Sequence, residues 1–498
     1  MEFNLVTYYV STALFLVSAT YLYNKVTRRR SLSAQQRRLP PSPPGWPVIG
    51  HLHLLTDMPH HALAELATTM RAPLLRLRLG SVPAVVISKP DLARAALTTN
   101  DAAMASRPHL LSGQFLSFGC SDVTFAPAGA YHRMARRVVV SELLSARRVA
   151  TYGSVRGKEL RRLLAHLTKN TTPEEPVDLS ECFLNLANDV LCRVAFGRRF
   201  PHGGKDDRLA AVLAEAQDLF AGFTVGDFFP QLEPLASTVA GSRPAWPTCA
   251  RDEDFVDVLL RVQKSPDLEV PLTDDNLKAL VLDMFVAGTD TTFATLEWVM
   301  TELLRHPRIL KKAQDEVQRV VGGKGRVDES DLAELHYMRA IIKETFRLHP
   351  TVPLLVPRES VTACTLGGYH IPAKTRIFIN TFAMGRDPEI WKEPLEYSPE
   401  RFEGAASEID LKDPDYKLLP FGGGRRGCPG YTFALATVQV SLASLLYHFE
   451  WALPTGVQTE DVSLEESFGL ATRKKDPLFV AIKKSDLYPF KGEELNEV

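Results

Sequence analysis

Late in the chain, Phe421-Gly422-Gly423-Gly424-Arg425-Arg426-Gly427-Cys428-Pro429-Gly430 sets five glycines around one cysteine, just before an apolar helical run from Phe433 to Tyr447. Backbone without side chains can approach another group closely and adopt positive φ, so this segment has to fold as a tight turn against something. A cysteine thiolate that binds a metal needs such proximity. Backbone N–H groups aimed at the sulfur stabilise its charge, and the N-terminus of the following helix adds positive potential. A phosphate-binding loop is the rival reading of a glycine-rich turn before a helix, but its Lys-Ser/Thr pair is missing. A buried cysteine in a tight turn is the third reading.

The rest of the chain narrows the choice. Its 498 residues exceed an average domain of roughly 100 to 200, yet no low-complexity linker divides the part beyond residue 50. One large domain over residues 51–498 is expected. Apolar residues at 45% supply a core, and a net charge of -1 gives no attraction for a polyanion, which excludes nucleic acid as a partner. The six cysteines (Cys120, Cys182, Cys192, Cys249, Cys364, Cys428) contain no CxxC pair, which argues against a disulfide framework or structural zinc and for a reducing compartment.

Phe3 to Tyr23 carries no charged side chain and is long enough, at about 1.5 Å per residue, to cross a ~30 Å hydrocarbon layer as a helix. Residues 1–24 are therefore read as a membrane anchor. Lys25, Arg28, Arg29, Arg30, Arg37 and Arg38 follow it, so the positive-inside rule places the bulk of the chain in the cytosol. A cleaved signal peptide would carry its basic residues in front. Residues 25–50 form a basic and Pro-rich linker in which Pro40-Pro41-Ser42-Pro43-Pro44-Gly45-Trp46-Pro47 forbids a helix and favours a stiff spacer. A proline-rich ligand for a small recognition module is the alternative reading of that run.

Between Leu74 and Ser88 the pattern alternates around a Gly80 to Pro83 turn and predicts two strands. Helical periodicity dominates from Asp91 to Arg347, and strand-like stretches return at Cys364 to Asn380 and Leu478 to Lys483. The expected class is predominantly α with minor β. One helix stands out: Thr273 is its N-cap, Leu277 to Ala287 is apolar nearly all round, and Ala287-Gly288-Thr289-Asp290-Thr291-Thr292 follows inside it. An acid and hydroxyls in such a helix need partners; Thr291 bonding back to residue 287 and Asp290 in a core ion pair would satisfy them without any catalytic role. In Lys343-Glu344-Thr345-Phe346-Arg347-Leu348-His349-Pro350, Glu344 and Arg347 share a helical face and can pair.

The pattern FxxGxRxCxG at Phe421 to Gly430 resembles the haem-binding loop of the cytochrome P450 family, whose axial ligand is a cysteine thiolate. The resemblance implies a cytochrome P450 fold with an N-terminal anchor, a haem b cofactor, Cys428 as proximal iron ligand, and Arg426 facing a haem propionate. It also implies that Glu344, Arg347 and Arg401 (in Pro399-Glu400-Arg401-Phe402) form a buried structural triad. Thr291 would hydrogen-bond the dioxygen under reduction, and Asp290 would relay protons from solvent. Arg358, in Pro357-Arg358-Glu359, would reach a propionate, and Ala105-Ser106-Arg107-Pro108 would open the first substrate-facing loop.

Two departures from the family stand out. Its C helix usually carries WxxxR, whereas Tyr131-His132-Arg133-Met134-Ala135-Arg136 puts His132 at the Trp position, which predicts weaker haem retention with Arg136 still present. The Ala240 to Arg251 link is also short, by roughly twenty-five residues, relative to family members with a long amphipathic lid helix there, which leaves two readings: a truly shortened pocket lid or an imperfect gene model.

Together the motifs and the anchor resemble microsomal hydroxylases of plant specialised metabolism. Such an enzyme inserts one atom of O2 into a lipophilic phenolic, terpenoid or alkaloid-like molecule, using NADPH electrons relayed by NADPH-cytochrome P450 reductase at the endoplasmic reticulum membrane. By the same analogy the pocket is lined by Leu110, Phe115, Phe118, Phe285, Ala287, Val352, Leu354 and Phe468; the basic residues Arg133, Arg136 and Arg137 of the expected C helix are either a docking face for the acidic reductase or a solvated helix face. A haem-thiolate isomerase or dehydratase, and a silent haem-binding membrane protein, are the other classes left open.

Overall fold

The computed structural model describes residues 38–169, 175–200, 225–229, 254–266, 268–404 and 408–485. The expected anchor, the first half of the basic linker (25–37) and the short Ala240 to Arg251 link lie outside them. The longer helices are α1 (Pro59–Thr69), α2 (Ala130–Val138), α3 (Gly153–Lys169), α4 (Leu179–Phe196), α5 (Phe255–Gln263), α6 (Asp274–Arg305), α7 (Pro307–Val321), α8 (His336–Leu348) and α9 (Tyr431–His448). The strands are β1 (Leu74–Leu79), β2 (Val82–Ile87), β3 (Val177–Asp178), β4 (Arg358–Glu359), β5 (Cys364–Leu366), β6 (Tyr369–Ile371), β7 (Arg376–Ile379), β8 (Phe449–Ala452), β9 (Glu466–Ser467), β10 (Arg473–Lys474) and β11 (Phe479–Lys484). The class is predominantly α with minor β.

Helix α6 is the axis of the molecule. Thr273 caps it by accepting the Asn276 N–H at 3.2 Å, while Asn276 returns a bond to the Thr273 N–H at 2.9 Å. Its 32 residues extend about 48 Å. Length and composition would suit a membrane span, but 72% of its most apolar window is buried inside the protein, which makes it a core helix. Leu296, Val299, Met300 and Leu303 are fully buried there among residues of α4, α8 and α9. Each such side chain contributes about 1.5 to 3 kcal/mol through burial.

The main sheet has the order β1-β2-β7-β4. β1 and β2 form the hairpin that the alternation predicts, with Leu74 opposite Ile87 and Leu79 opposite Val82. β7 then joins β2 in parallel, pairing Ala84 with Arg376 and Ile87 with Ile379. The proline-rich run does not stand off as a spacer throughout: the Pro41 carbonyl accepts the Arg76 N–H at 2.8 Å, and Gly50 bridges to Leu79. A second sheet, β3-β11-β8, ties the C-terminal part of the chain to the start of α4. The slot between α6 and the loop preceding α9 is where the chemistry-bearing residues meet.

Candidate active site

The floor of that slot is the glycine-rich turn. Gly422 and Gly424 both sit at φ 62°, where L side chains are strained. A Cβ on Gly424 would lie 2.6 Å from both Asp101 Oδ1 and the Leu97 carbonyl, so only glycine fits. The Cys428 N–H donates to the Phe421 carbonyl at 2.9 Å, and the Phe421 ring stands edge-on to Phe346 and Tyr431. Cys428 lies deep in the protein, yet its side chain keeps exposed surface because that surface faces a cavity rather than bulk solvent. Burial raises its thiol pKa, and the Gly430 N–H and the charges of Arg136 and Lys412 act in the opposite direction. Cys182 and Cys192, held at about 12 by burial, line no part of this cavity.

The roof is α6. Asp283, Ala287, Gly288, Thr291 and Thr295 face the cavity, which encloses about 1690 Å³ of empty space including its mouth. The spacing of 283, 287, 291 and 295 is one helical stripe. Gly288 permits close packing, since a Cβ there would come within 2.9 Å of Leu191. The Thr291 hydroxyl donates to the Ala287 carbonyl at 2.7 Å while its side chain lines the cavity opposite Cys428. Asp290, one residue back, is buried and turned away from the cavity. Its Oδ2 accepts the Ala471 N–H at 3.2 Å, and its Oδ1 is 4.0 Å from Arg473.

The rim is basic. Arg107, Arg136, Arg358 and Arg426 all line the cavity. Arg358 pairs with Asp101 at 2.9 Å and donates to the Gly423 carbonyl, and Arg136 donates to the Gly427 carbonyl at 2.6 Å. Arg426 donates to the Ala105, Val123 and Ala126 carbonyls. Burial first, then the charges of Arg358 and Arg136, bring Arg426 down to about 10. His132 is held at about 3 by burial and by the neighbouring arginines, so the ring is neutral, and its buried Nε2 has no protein partner. A soft sulfur below, which a bound metal would hold as thiolate, a helix above, and an excess of buried guanidinium at the edge fit an iron porphyrin with two carboxylates.

Away from the cavity, Glu344 and Arg347 make a fork-to-fork pair at 2.6 and 2.7 Å, and Arg401 Nε adds a third contact to Glu344 at 3.3 Å. Both Glu344 and Arg347 are fully buried. Arg347 and Arg401 also hold carbonyls of the segment 385–396, so the charges clamp the chain between β7 and the cysteine turn.

Residues 40–479 match the Cytochrome P450 family. This chain is a cytochrome P450. It is 80% identical to tryptamine 5-hydroxylase of Oryza sativa subsp. japonica, with 98% of each chain covered, and 45% identical to cytochrome P450 71AP13 of Prunus mume, with 95% and 94% covered. A solved zebra fish cytochrome P450 structure with abiraterone superposes with a TM-score of 0.71 at 22% identity over 86% of this chain and 100% of that one, a likeness of fold. The P450 is thus a haem-dependent monooxygenase related to the membrane-associated hydroxylases of plant specialised metabolism, and takes a small-molecule substrate, O2 and electrons from a redox partner. The alignment with the rice protein runs over 516 positions, 18 more than the 498 residues here, so that relative carries residues with no counterpart in this chain.

The expected pocket residues of the P450 separate into three groups. Ala287 and Val352 line the cavity that holds Cys428. Val352 also joins Leu110, Leu354 and Phe468 around a neighbouring cavity of about 650 Å³, divided from the first by shared walls including Phe125 and Leu470. Phe115, Phe118 and Phe285 line neither. Phe285 stacks on Phe196 at 5.1 Å on another face of α6, Phe115 is 48% exposed, and the Phe118 ring lies under the Lys278 ammonium. For docking, Arg133 and Arg137 are four apart on the outer face of α2 and exposed, whereas Arg136 is turned inward to the Gly427 carbonyl.

Sequence reasoning passed over two residues of this site. Arg107 reads in the sequence as part of a loop motif, with nothing local to mark it as rim charge. Asp283 was not singled out, although an acid in an apolar helix eight residues before Thr291 is a signal of its own.

Proposed function

We propose that this P450 hydroxylates the indole ring of tryptamine or a closely similar arylalkylamine, using NADPH electrons delivered by NADPH-cytochrome P450 reductase at the endoplasmic reticulum membrane. The observation that carries this reading is 80% identity, over nearly the whole of both chains, to a tryptamine 5-hydroxylase. Bound haem supplies the reduction of dioxygen, with one oxygen atom entering a C–H bond and the other leaving as water after two electrons and two protons are taken up.

The chain's own groups have distinct tasks in that reaction. With haem bound, Cys428 would ligate the iron from the glycine turn, and Arg107, Arg136, Arg358 and Arg426 would neutralise the propionates. Thr291 spends its proton on the Ala287 carbonyl and so presents oxygen lone pairs to the cavity. Asp290 contacts Ala471 and Arg473, the latter partly exposed, which gives protons a way in from solvent to the back of α6. Apolar walls from Val139, Leu144, Val352 and Leu470 exclude bulk water. Arg133 and Arg137 offer the reductase a positive face, and residues 1–24 anchor the enzyme with its domain on the cytosolic side.

The positions by which the rice relative exceeds this chain fit the short Ala240 to Arg251 link. Purified enzyme with reductase, NADPH and tryptamine tests the reading. A ring-hydroxylated product whose formation requires NADPH is expected; turnover with peroxide alone would point to the isomerase or dehydratase class.

A further inference from the structure

Among the described residues, Asp283 is the only carboxylate lining the Cys428 cavity, whose other charged groups there are arginines. Its Oδ2 accepts the Val123 and Thr124 N–H groups, both at 3.1 Å. The side chain lies deep in the protein yet retains surface, and that surface faces the cavity. Nearby Arg107 donates to the Thr124, Val356 and Pro357 carbonyls. Asp122, behind it, is itself a buried acid held at about 8 by burial and by Asp283. Asp122 is thus largely protonated at neutral pH, and burial raises Asp283 in the same direction, so a cation placed in the cavity would favour the charged form of Asp283.

We propose that Asp283 is the specificity-determining residue that receives the substrate's ammonium group, orienting an arylalkylamine along α6 with its ring toward Cys428. This rests on the reading that the substrate is such an amine, and it says which residue distinguishes the amine from a neutral indole. Asp283 and Thr291 lie on one stripe, eight residues or about 12 Å apart along the axis. That separation is of the order of a fused ring plus a short alkylammonium arm. An alkylamine is protonated at neutral pH, and burying it is unfavourable unless a carboxylate accepts it.

Calorimetric titration with matched ligand pairs tests the assignment: tryptamine against 3-propylindole, in which a methyl replaces the ammonium, and phenethylamine against propylbenzene. Wild-type enzyme should prefer each ammonium ligand. Asp283→Asn, which can still accept the Val123 and Thr124 amides, should lose tryptamine affinity by about thirtyfold or more while 3-propylindole changes less than about threefold. Asp283→Glu keeps the charge and should keep the preference. Equal losses for amine and neutral partner would reduce Asp283 to a clasp on the 123–124 loop and overturn the proposal. So would a wild type that never favours an ammonium ligand, a comparison that does not depend on any variant folding. Preference for phenethylamine with no binding of tryptamine would instead remove the indole reading and leave Asp283 in place.

Discussion

Glu344 shows how much structural weight one side chain can carry. It accepts from Arg347, Arg401 and the Ser398 N–H while fully buried. Glu344→Gln should lower unfolding free energy by roughly 3 to 5 kcal/mol, measured by urea denaturation, because two guanidiniums lose the anion between them. His132 gives a prediction with a definite sign. Its folded pKa near 3 lies below the unfolded value of 6.5, so both states are neutral above pH 6.5 and nothing is lost there. As pH falls below 6.5 the unfolded chain takes the proton first, and folding weakens by about 1.4 kcal/mol per pH unit until the folded ring titrates. Between pH 7 and pH 5 the haem-free wild type should therefore lose about 2 kcal/mol relative to haem-free His132→Trp, a difference that denaturation of the apoprotein at the two pH values reads directly. The same variant should hold haem longer in a transfer assay to an apo-globin; unchanged retention would dispose of the idea that His132 weakens the site.

At the scale of elements, the glycine turn and α6 were legible because their chemistry is local. Five glycines and a cysteine occur within ten residues, and the α6 cap, apolar run and polar interruption follow one another along a single helix. Gly424→Ala should therefore abolish haem incorporation with the protein still expressed, because its Cβ would strike Asp101 and the Leu97 carbonyl; an unchanged Soret absorbance per mole would contradict the assigned role of that turn. What periodicity could not show was contact across hundreds of residues. Asp101 meets Arg358 and Arg425 from opposite ends of the sequence, and β7 lies parallel to β2. The pocket expectations fell short at Phe115, Phe118 and Phe285 for a similar reason. Family analogy supplies a position along the chain, but helical phase decides which way a side chain points, and Phe285 is two residues from the cavity-facing Asp283 and Ala287.

For the whole molecule, an α-rich fold with small sheets follows from composition and periodicity, and the joining of distant parts is the work of buried charge: the Glu344 clamp, the arginine rim and the Asp101 crossing. The proposed anchor predicts that deleting residues 1–24 will move the protein from the membrane pellet to the supernatant without altering its haem spectrum. Persistence in the pellet after salt washing would assign membrane attachment to the folded domain instead. The central claim, that the sulfur of Cys428 holds the haem beneath Thr291, is tested most directly by the reduced, carbon-monoxide difference spectrum of wild type and Cys428→Ser. Wild type should give the strongly red-shifted Soret band of a thiolate-ligated haem and the variant should give none; the same band in both would contradict the account.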